Sequence, residues 1–333
     1  MTRVEQDGRD VRMHQYSVFG GVLRTEVEFP ELAGAARTGT DRPDWTLRLG
    51  RGAPPAATEL LGERRLGPER YRLWKTSAGL RLEYSHAGCY DISPDGADIV
   101  WYADPSAPPE LGRWIVLGSV LALVLEAAGN LCLHGSAVAL GDGAVAFLAP
   151  KHHGKSTLAT ALTSAGAPII GDDNLAVRLG STPALLPGVA SVRLWQDAAS
   201  RLHTPELCST VIAGTKTTIT GFAEERIPRA PVPLAAIYLL RPVPANEGGP
   251  AASRIRLTGA AAGVALAHQT KLPDSLIGYR AAGVQLRAVA AVAATVPVYT
   301  LHLVRDFGRL AEAVEDLMGW HASACAGVGL TGS

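Results

Sequence analysis

A chain of 333 residues with 47% hydrophobic content holds enough apolar material for one large or two medium cores. Its 31 basic and 31 acidic residues cancel, which excludes the charge excess of a nucleic-acid or anionic-membrane binder. Cys89, Cys132, Cys208 and Cys325 form no CxxC and no metal-ligand spacing, so a reducing, cytoplasmic setting is expected.

The opening MTRVEQDGRDVRM has no apolar signal core. A β-rich region follows, with strands expected at Tyr16 to Phe29, Trp45 to Leu49, Arg70 to Trp74, Leu80 to Tyr84 and Ile99 to Tyr102. Residues 34–44 and 51–58 read as loops, and Ser77-Ala78-Gly79 and Ser93-Pro94-Asp95-Gly96 as turns. His86 and Cys89 form no constellation there. Asp104-Pro105-Ser106-Ala107-Pro108-Pro109 marks a boundary, dividing a β-rich N-terminal domain, residues 1–108, from a second domain, residues 109–333. Leu111 to Ala128 predicts an apolar helix; its run from Trp114 to Leu125, apolar apart from Ser119, ends at Glu126 after about twelve residues, too short for a membrane span of about twenty.

Leu131 to Leu140 and Ala144 to Leu148 flank Gly141-Asp142-Gly143 and predict a hairpin. The second strand runs into Ala149-Pro150-Lys151-His152-His153-Gly154-Lys155-Ser156, a relaxed phosphate-loop pattern that ends in Gly-Lys-Ser. Apolar residues recur at helical spacing from Thr157 to a stop at Gly166, so Gly154 to Ser156 open a helix, where backbone N–H groups and the helix dipole favour phosphate. Ala149 stands where the pattern usually has Gly, and His152 where many such loops carry a second Gly, so each adds a Cβ. Lysine occurs at only five positions, and Lys151 and Lys155 both lie in this loop.

Pro168 to Ile170 predicts a buried strand that delivers Gly171-Asp172-Asp173-Asn174 at its carboxyl end, where open α/β sheets bind ligands. Two adjacent carboxylates there call for a cation, and a magnesium nucleotide beside Ser156 supplies one, leaving the other acid to take a proton from a hydroxyl. An ordinary Asp-Asp turn is the alternative. His134, on the first hairpin strand, is expected within hydrogen-bond or one-water reach of Asp172; a satisfied core histidine is the alternative. Arg193 and Trp195 suit a phosphate contact and a stacking face, or else a surface Arg beside a buried Trp. Lys216 is a further cation for transferred phosphate, or a solvated loop lysine. Residues 244–252 read as a loop, Tyr299 to Val304 as a strand, Leu310 to Met318 as a helix, and 324–333 as a frayed tail.

The run LCLHGSAVALGDGAVAFLAPKHHGKST, followed by APIIGDDNLAVRL, resembles the catalytic core of HPr kinase/phosphorylase. Tyr16-Ser17-Val18-Phe19-Gly20, Phe29-Pro30-Glu31-Leu32, Pro187-Gly188, Arg193-Leu194-Trp195-Gln196-Asp197 and Val232 to Tyr238 are similar to the shorter HPr-kinase-like proteins, including lasso-peptide precursor kinases. The resemblance implies an α/β fold with an HPr kinase/PEP carboxykinase-like P-loop core, ATP and Mg2+, and it allows a homo-oligomer. It implies Asp172 as base, Asp173 as magnesium-linked partner and His134 as a neighbour tuning Asp172. Lys155 and Ser156 take the phosphates and the metal, and Ala149, Lys151, His152, His153, Gly154, Thr157 and Arg193 line the nucleotide. The expected acceptor is a Ser hydroxyl of a ribosomally made precursor peptide. Thr157 stands where HPr kinases carry Glu, and their later Gly-rich signature has no counterpart, which argues against HPr itself as substrate. A small-molecule kinase, a nucleotidyltransferase and a non-catalytic nucleotide-binding module are the alternatives.

Overall fold

The computed structural model describes residues 3–6, 9–39, 41–66, 69–202, 208–211, 216–220, 222, 226–245 and 249–322. It is a mixed α/β structure. Eight strands form a first sheet: β1 (His14–Val18), β2 (Gly21–Thr25), β3 (Trp45–Leu49), β4 (Ala57–Leu66), β5 (Glu69–Thr76), β6 (Gly79–Tyr84), β7 (Gly88–Ile92) and β8 (Asp98–Ala103). Their order is β1-β2-β3-β8-β7-β6-β5-β4. The stretch expected as one strand from Tyr16 to Phe29 is a hairpin, because Phe19 and Gly20 both take positive φ (49° and 75°), as a two-residue turn requires.

The apolar helix, α1, spans Pro109–Ile115 and Leu121–Ala127 with a π turn at Val116–Val120 between them. It shares one core with the first sheet, packing Val116, Val120 and Leu121 with Leu23, Leu47, Leu82 and Ile99. No helix among the described residues is long and apolar enough to cross a membrane.

The second sheet contains β9 (Leu131–Leu133), β10 (Gly135–Leu140), β11 (Gly143–Leu148), β12 (Ile169–Asp172), β13 (Leu175–Arg178) and β14 (Ala184–Leu185). A small separate sheet holds β15 (Val192–Trp195), β16 (Cys208–Val211) and β17 (Lys216–Thr220). β18 (Val232–Val243), β19 (Ala252–Leu257) and β20 (Val298–Val304) complete the second sheet, where β18 pairs in parallel with both β11 and β20. The helices are α2 (Lys155–Ser164), α3 (Gln196–Arg201), α4 (Gly259–Ala267), α5 (Asp274–Thr295) and α6 (Leu310–His321).

β11 shows why its sequence is apolar throughout. Val145 and Phe147 face a core closed by Leu158 and Leu162 of α2 and Leu317 of α6, while Ala144, Ala146 and Leu148 face another closed by Leu266 of α4 and Val289 of α5. With both faces covered there is no polar side to alternate. The expected hairpin is β10-β11, but the stretch 131–140 breaks at His134: β9 pairs with β13, and β10 pairs with β11 and β12. Gly135 is required at the break, since a Cβ there would lie 2.4 Å from Leu148 Cδ2 and 2.7 Å from the Phe147 carbonyl oxygen. The Lys216 side chain and residues 324–333 lie outside the described residues.

Candidate active site

β11 ends at Leu148, buried Ala149 follows, and α2 starts at Lys155 after Gly154 at φ 89°. His152 also takes a left-handed conformation, at φ 69°, which costs a residue with a Cβ about 1–2 kcal/mol. Its ring lies nearly parallel to that of Trp195 at the end of β15, with centroids 4.7 Å apart. A ring contact of this kind returns about 0.5–1.5 kcal/mol, comparable to the strain. The loop therefore reaches a glycine-like curvature without the usual glycine. Lys151 is exposed, and its carbonyl oxygen lies 2.9 Å from His153 Nδ1. Lys155 is nearly buried, and its Nζ donates to the Ala149 and Pro150 carbonyls at 2.8 and 3.2 Å, so the ammonium is held inside the curl of the loop. Thr157, partly buried, follows on the first turn of α2 and lines the same cleft.

The two acids are in different environments. Asp172 ends β12 opposite Ser136 of β10 and is buried. Its Oδ1 accepts hydrogen bonds from the Ser136 hydroxyl and, at 2.9 Å, from the Ser156 hydroxyl; its Oδ2 accepts from the Arg193 backbone N–H at 3.2 Å. Asp173 leaves the strand at φ 72° and turns into the cleft, with its side chain 31% exposed. Lys271 Nζ donates to its Oδ2 at 2.6 Å and to its carbonyl at 3.1 Å, and Arg193 Nη2 lies 3.5 Å from Oδ1. His134 Nδ1 is 3.2 Å from the Asp173 carbonyl oxygen and 3.4 Å from Oδ1, so it faces two acceptors and carries the proton in this arrangement.

Two direct contacts fall on the acid next to the expected one. His134 pairs with Asp173 instead of Asp172, because it sits in the bend before β10 while Ser136, two residues on, occupies the ladder position opposite Asp172. Ser156, expected to share a metal with Asp173, instead contacts Asp172, because the strand end faces the start of α2 and the chain turns away after it. Burial opposes the charge on Asp173, but Lys271, His134 and Arg193 together hold its carboxyl well below the usual carboxylate range. It is an anion at any working pH.

Sequence reasoning does not find Lys271, which arrives from the connection between α4 and α5 without a motif. Ser136 lies two residues after His134, at the start of β10. The π turn of α1 is equally silent in sequence. Its Leu117 and Gly118 carbonyls accept from Asn174 Nδ2 at 3.4 and 3.2 Å, and a Cβ added at Gly118 would lie 3.4 Å from Lys271 Nζ and 3.5 Å from Asp173 Oδ2. The Arg193 guanidinium stacks 4.6 Å from the Trp114 ring on the same helix. A cleft of about 1400 Å³ joins the loop, both acids, Trp195, the 267–276 connection and the Tyr71 and Tyr84 side of the first sheet.

Oxygen donors at Ser156 and Asp172 suit magnesium, a hard cation that takes few protein ligands and completes its shell with water and phosphate oxygens. Among the described residues no group of three or more His, Cys, Asp or Glu side chains forms a metal cage.

The fold and site together define a mixed α/β protein with a strand–loop–helix unit beside a carboxylate pair. No family model matches the chain, and no curated protein matches it. Among solved structures, that of the HPr(Ser) kinase/phosphatase from Coxiella burnetii aligns with 57% of this chain and 95% of its own, at 12% identity and a TM-score of 0.30. A likeness at that level carries no argument, and the functional reading rests on the site.

Proposed function

We propose that the protein is an ATP- and magnesium-dependent phosphotransferase with an HPr-kinase-like P-loop core, and that its acceptor is a hydroxyl, specifically a Ser side chain of a ribosomally made precursor peptide. The observation that carries this reading is the Ser156 to Asp172 contact at the start of α2, with Asp173 beside it facing the cleft. Lys155 and the N–H groups from Gly154 onward would hold the outer phosphates. Ser156 and Asp172 would hold magnesium, which when bound neutralises charge on the phosphate oxygens.

The base is assigned to Asp173 instead of Asp172. Both acids are engaged by three groups, and what supports this assignment is exposure: Asp172 is buried, whereas the Asp173 side chain faces the cleft, where an acceptor hydroxyl can approach it. A carboxylate with a lowered pKa is a weak base, but phosphoryl transfer passes through a loose transition state that asks mainly for positioning and charge neutralisation. Lys271 and His134 fix the Asp173 carboxylate, and Arg193 spans both acids through its backbone N–H and its guanidinium.

Incubation with magnesium ATP and serine-containing peptides, followed by mass spectrometry, should show addition of a phosphoryl group that Lys155→Ala abolishes. Addition of an adenylyl group would establish nucleotidyl transfer instead. Nucleotide binding with no modification of peptides or of a broad small-molecule panel would leave a non-catalytic module.

A further inference from the structure

The first sheet contributes a wall to the cleft, and its composition is specific. Arg64 of β4 lies directly opposite Tyr71 of β5, and Tyr71 directly opposite Tyr84 of β6, so the three side chains form one row across three strands on one face. The Tyr71 and Tyr84 rings meet edge to face with centroids 4.3 Å apart. The row is anchored at its inner end, where the Tyr84 hydroxyl is 2.7 Å from Ser119 Oγ in the π turn of α1, next to Gly118, at which an added Cβ would lie 3.5 Å from Asp173 Oδ2. At its outer end Arg64 is partly buried, lines the cleft and makes no ion pair with a described carboxylate. Burial raises the pKa of both phenols and Arg64 pulls each back down, so its charge is felt along the row. Adjacent strands lie about 4.8 Å apart, which puts the Arg64 strand about 10 Å from the Tyr84 strand.

A half-buried guanidinium with no carboxylate partner among the described residues, at the end of an aromatic strip that lines the same cleft as the acid pair, is a binding element for an anion. We propose that this row is the acceptor subsite and that the acceptor is an acidic peptide, with a carboxylate side chain a few residues from the hydroxyl that is phosphorylated. An extended peptide covers the span of the row in about three residues. The strip accommodates apolar or aromatic side chains between the two points, against Tyr71 and Tyr84. The inference rests on the phosphotransferase reading above and adds to it the chemistry of the acceptor.

The test uses a library of short peptides with one central serine and randomised flanks, magnesium ATP, and the full-length wild type, Arg64→Gln and Arg64→Glu, with product sequences read by mass spectrometry. The wild type should enrich Asp or Glu two to four positions from the phosphorylated serine by about fivefold, the effect of one partly shielded ion pair. Arg64→Gln should erase the enrichment, and Arg64→Glu should move it to Lys or Arg at the same positions. Magnesium ATP affinity, measured by calorimetry, should stay within about twofold in all three proteins, because Arg64 belongs to the first sheet and shows no hydrogen bond or ion pair with the loop among the described residues. Phosphorylated products without acidic enrichment, or with an enrichment that survives Arg64→Gln, would overturn the subsite and leave the phosphotransferase reading standing. Nucleotide binding with no phosphorylated peptide would overturn the peptide reading, and the subsite with it.

Discussion

Glu126, near the end of α1, offers a quantitative test of how the two halves of the structure are joined. Its carboxylate accepts from Gln285 Nε2 of α5 at 3.1 Å on each oxygen, and the same amide donates to the Leu272 carbonyl at 3.0 Å, one residue from Lys271. Burial pushes the Glu126 carboxyl from 4.5 up to about 7, against hydrogen bonds from Gln285 and the Cys132 backbone N–H that favour the charge. The folded pKa is raised, so the folded state binds the extra proton between pH 4.5 and about 7, and stability falls as pH rises through that window. At 1.36 kcal/mol per pH unit, and with part of the side chain still solvated, the loss between about pH 5 and pH 8 is about 2–3 kcal/mol. Glu126→Gln keeps an acceptor for Gln285 and removes the titration. With an unfolding entropy of about 2.1 cal/mol/K per residue, the variant should gain about 3–4 °C in Tm relative to the wild type on going from pH 5 to pH 8. Thermal melts followed by tryptophan fluorescence at matched ionic strength measure this. A difference that is flat with pH would show that Glu126 ionises as an ordinary solvated acid and refute the reasoning.

The other expected outcomes concern the site. Asp172→Asn should weaken magnesium-dependent nucleotide binding as well as abolishing transfer, whereas Asp173→Asn should preserve that binding and reduce turnover by on the order of 10²-fold or more; the opposite pattern in calorimetry and kinetics would return the base to Asp172. His134→Ala should lower turnover more than nucleotide affinity, since it loosens Asp173 and not the loop, and equal losses in kcat and in affinity would count against its pairing role. Trp195→Ala leaves the strained His152 without its ring contact and should weaken nucleotide binding by about three- to tenfold, with His152→Gly in the same background restoring part of it. If Trp195→Ala binds nucleotide as the wild type does, the stack does not shape the loop.

The parts of this architecture that local rules govern were legible in the sequence. β11, the loop and α2 follow from an apolar run, a Gly-Lys-Ser and a helical period, and β3, β20 and α6 also fall close to where their patterns put them. β4 was not legible. Its residues ATELLGERRL include many good helix formers, and the strand exists because it pairs along β5 and receives the start of α5 against Gly62, where a Cβ would lie 2.1 Å from the Leu276 carbonyl oxygen. The direct partner of His134 was not legible for a similar reason. Sequence spacing places it near the acid pair, but which acid it meets depends on the register of β10 against β12 and on the left-handed turn at Asp173.

That dependence has a consequence for where specificity resides. The loop, Ser156 and Asp172 come from one contiguous unit and would serve any phosphoryl transfer, so they say little about the acceptor. Asp173 is different, because each group that positions it or surrounds its approach comes from somewhere else. Lys271 comes from the connection between α4 and α5, Arg193 from the small third sheet, Gly118 and Ser119 from the π turn of α1, and Tyr84 from the first sheet. The π turn links these pieces. The turn holds Asn174 Nδ2 on its Leu117 and Gly118 carbonyls and Tyr84 on its Ser119, and a regular α-helix over Val116–Val120 would change the register of all three. The turn thus couples the acid that faces the acceptor to the sheet that lines the acceptor's approach, so changes in the first sheet can alter what reaches Asp173 without touching the phosphate loop.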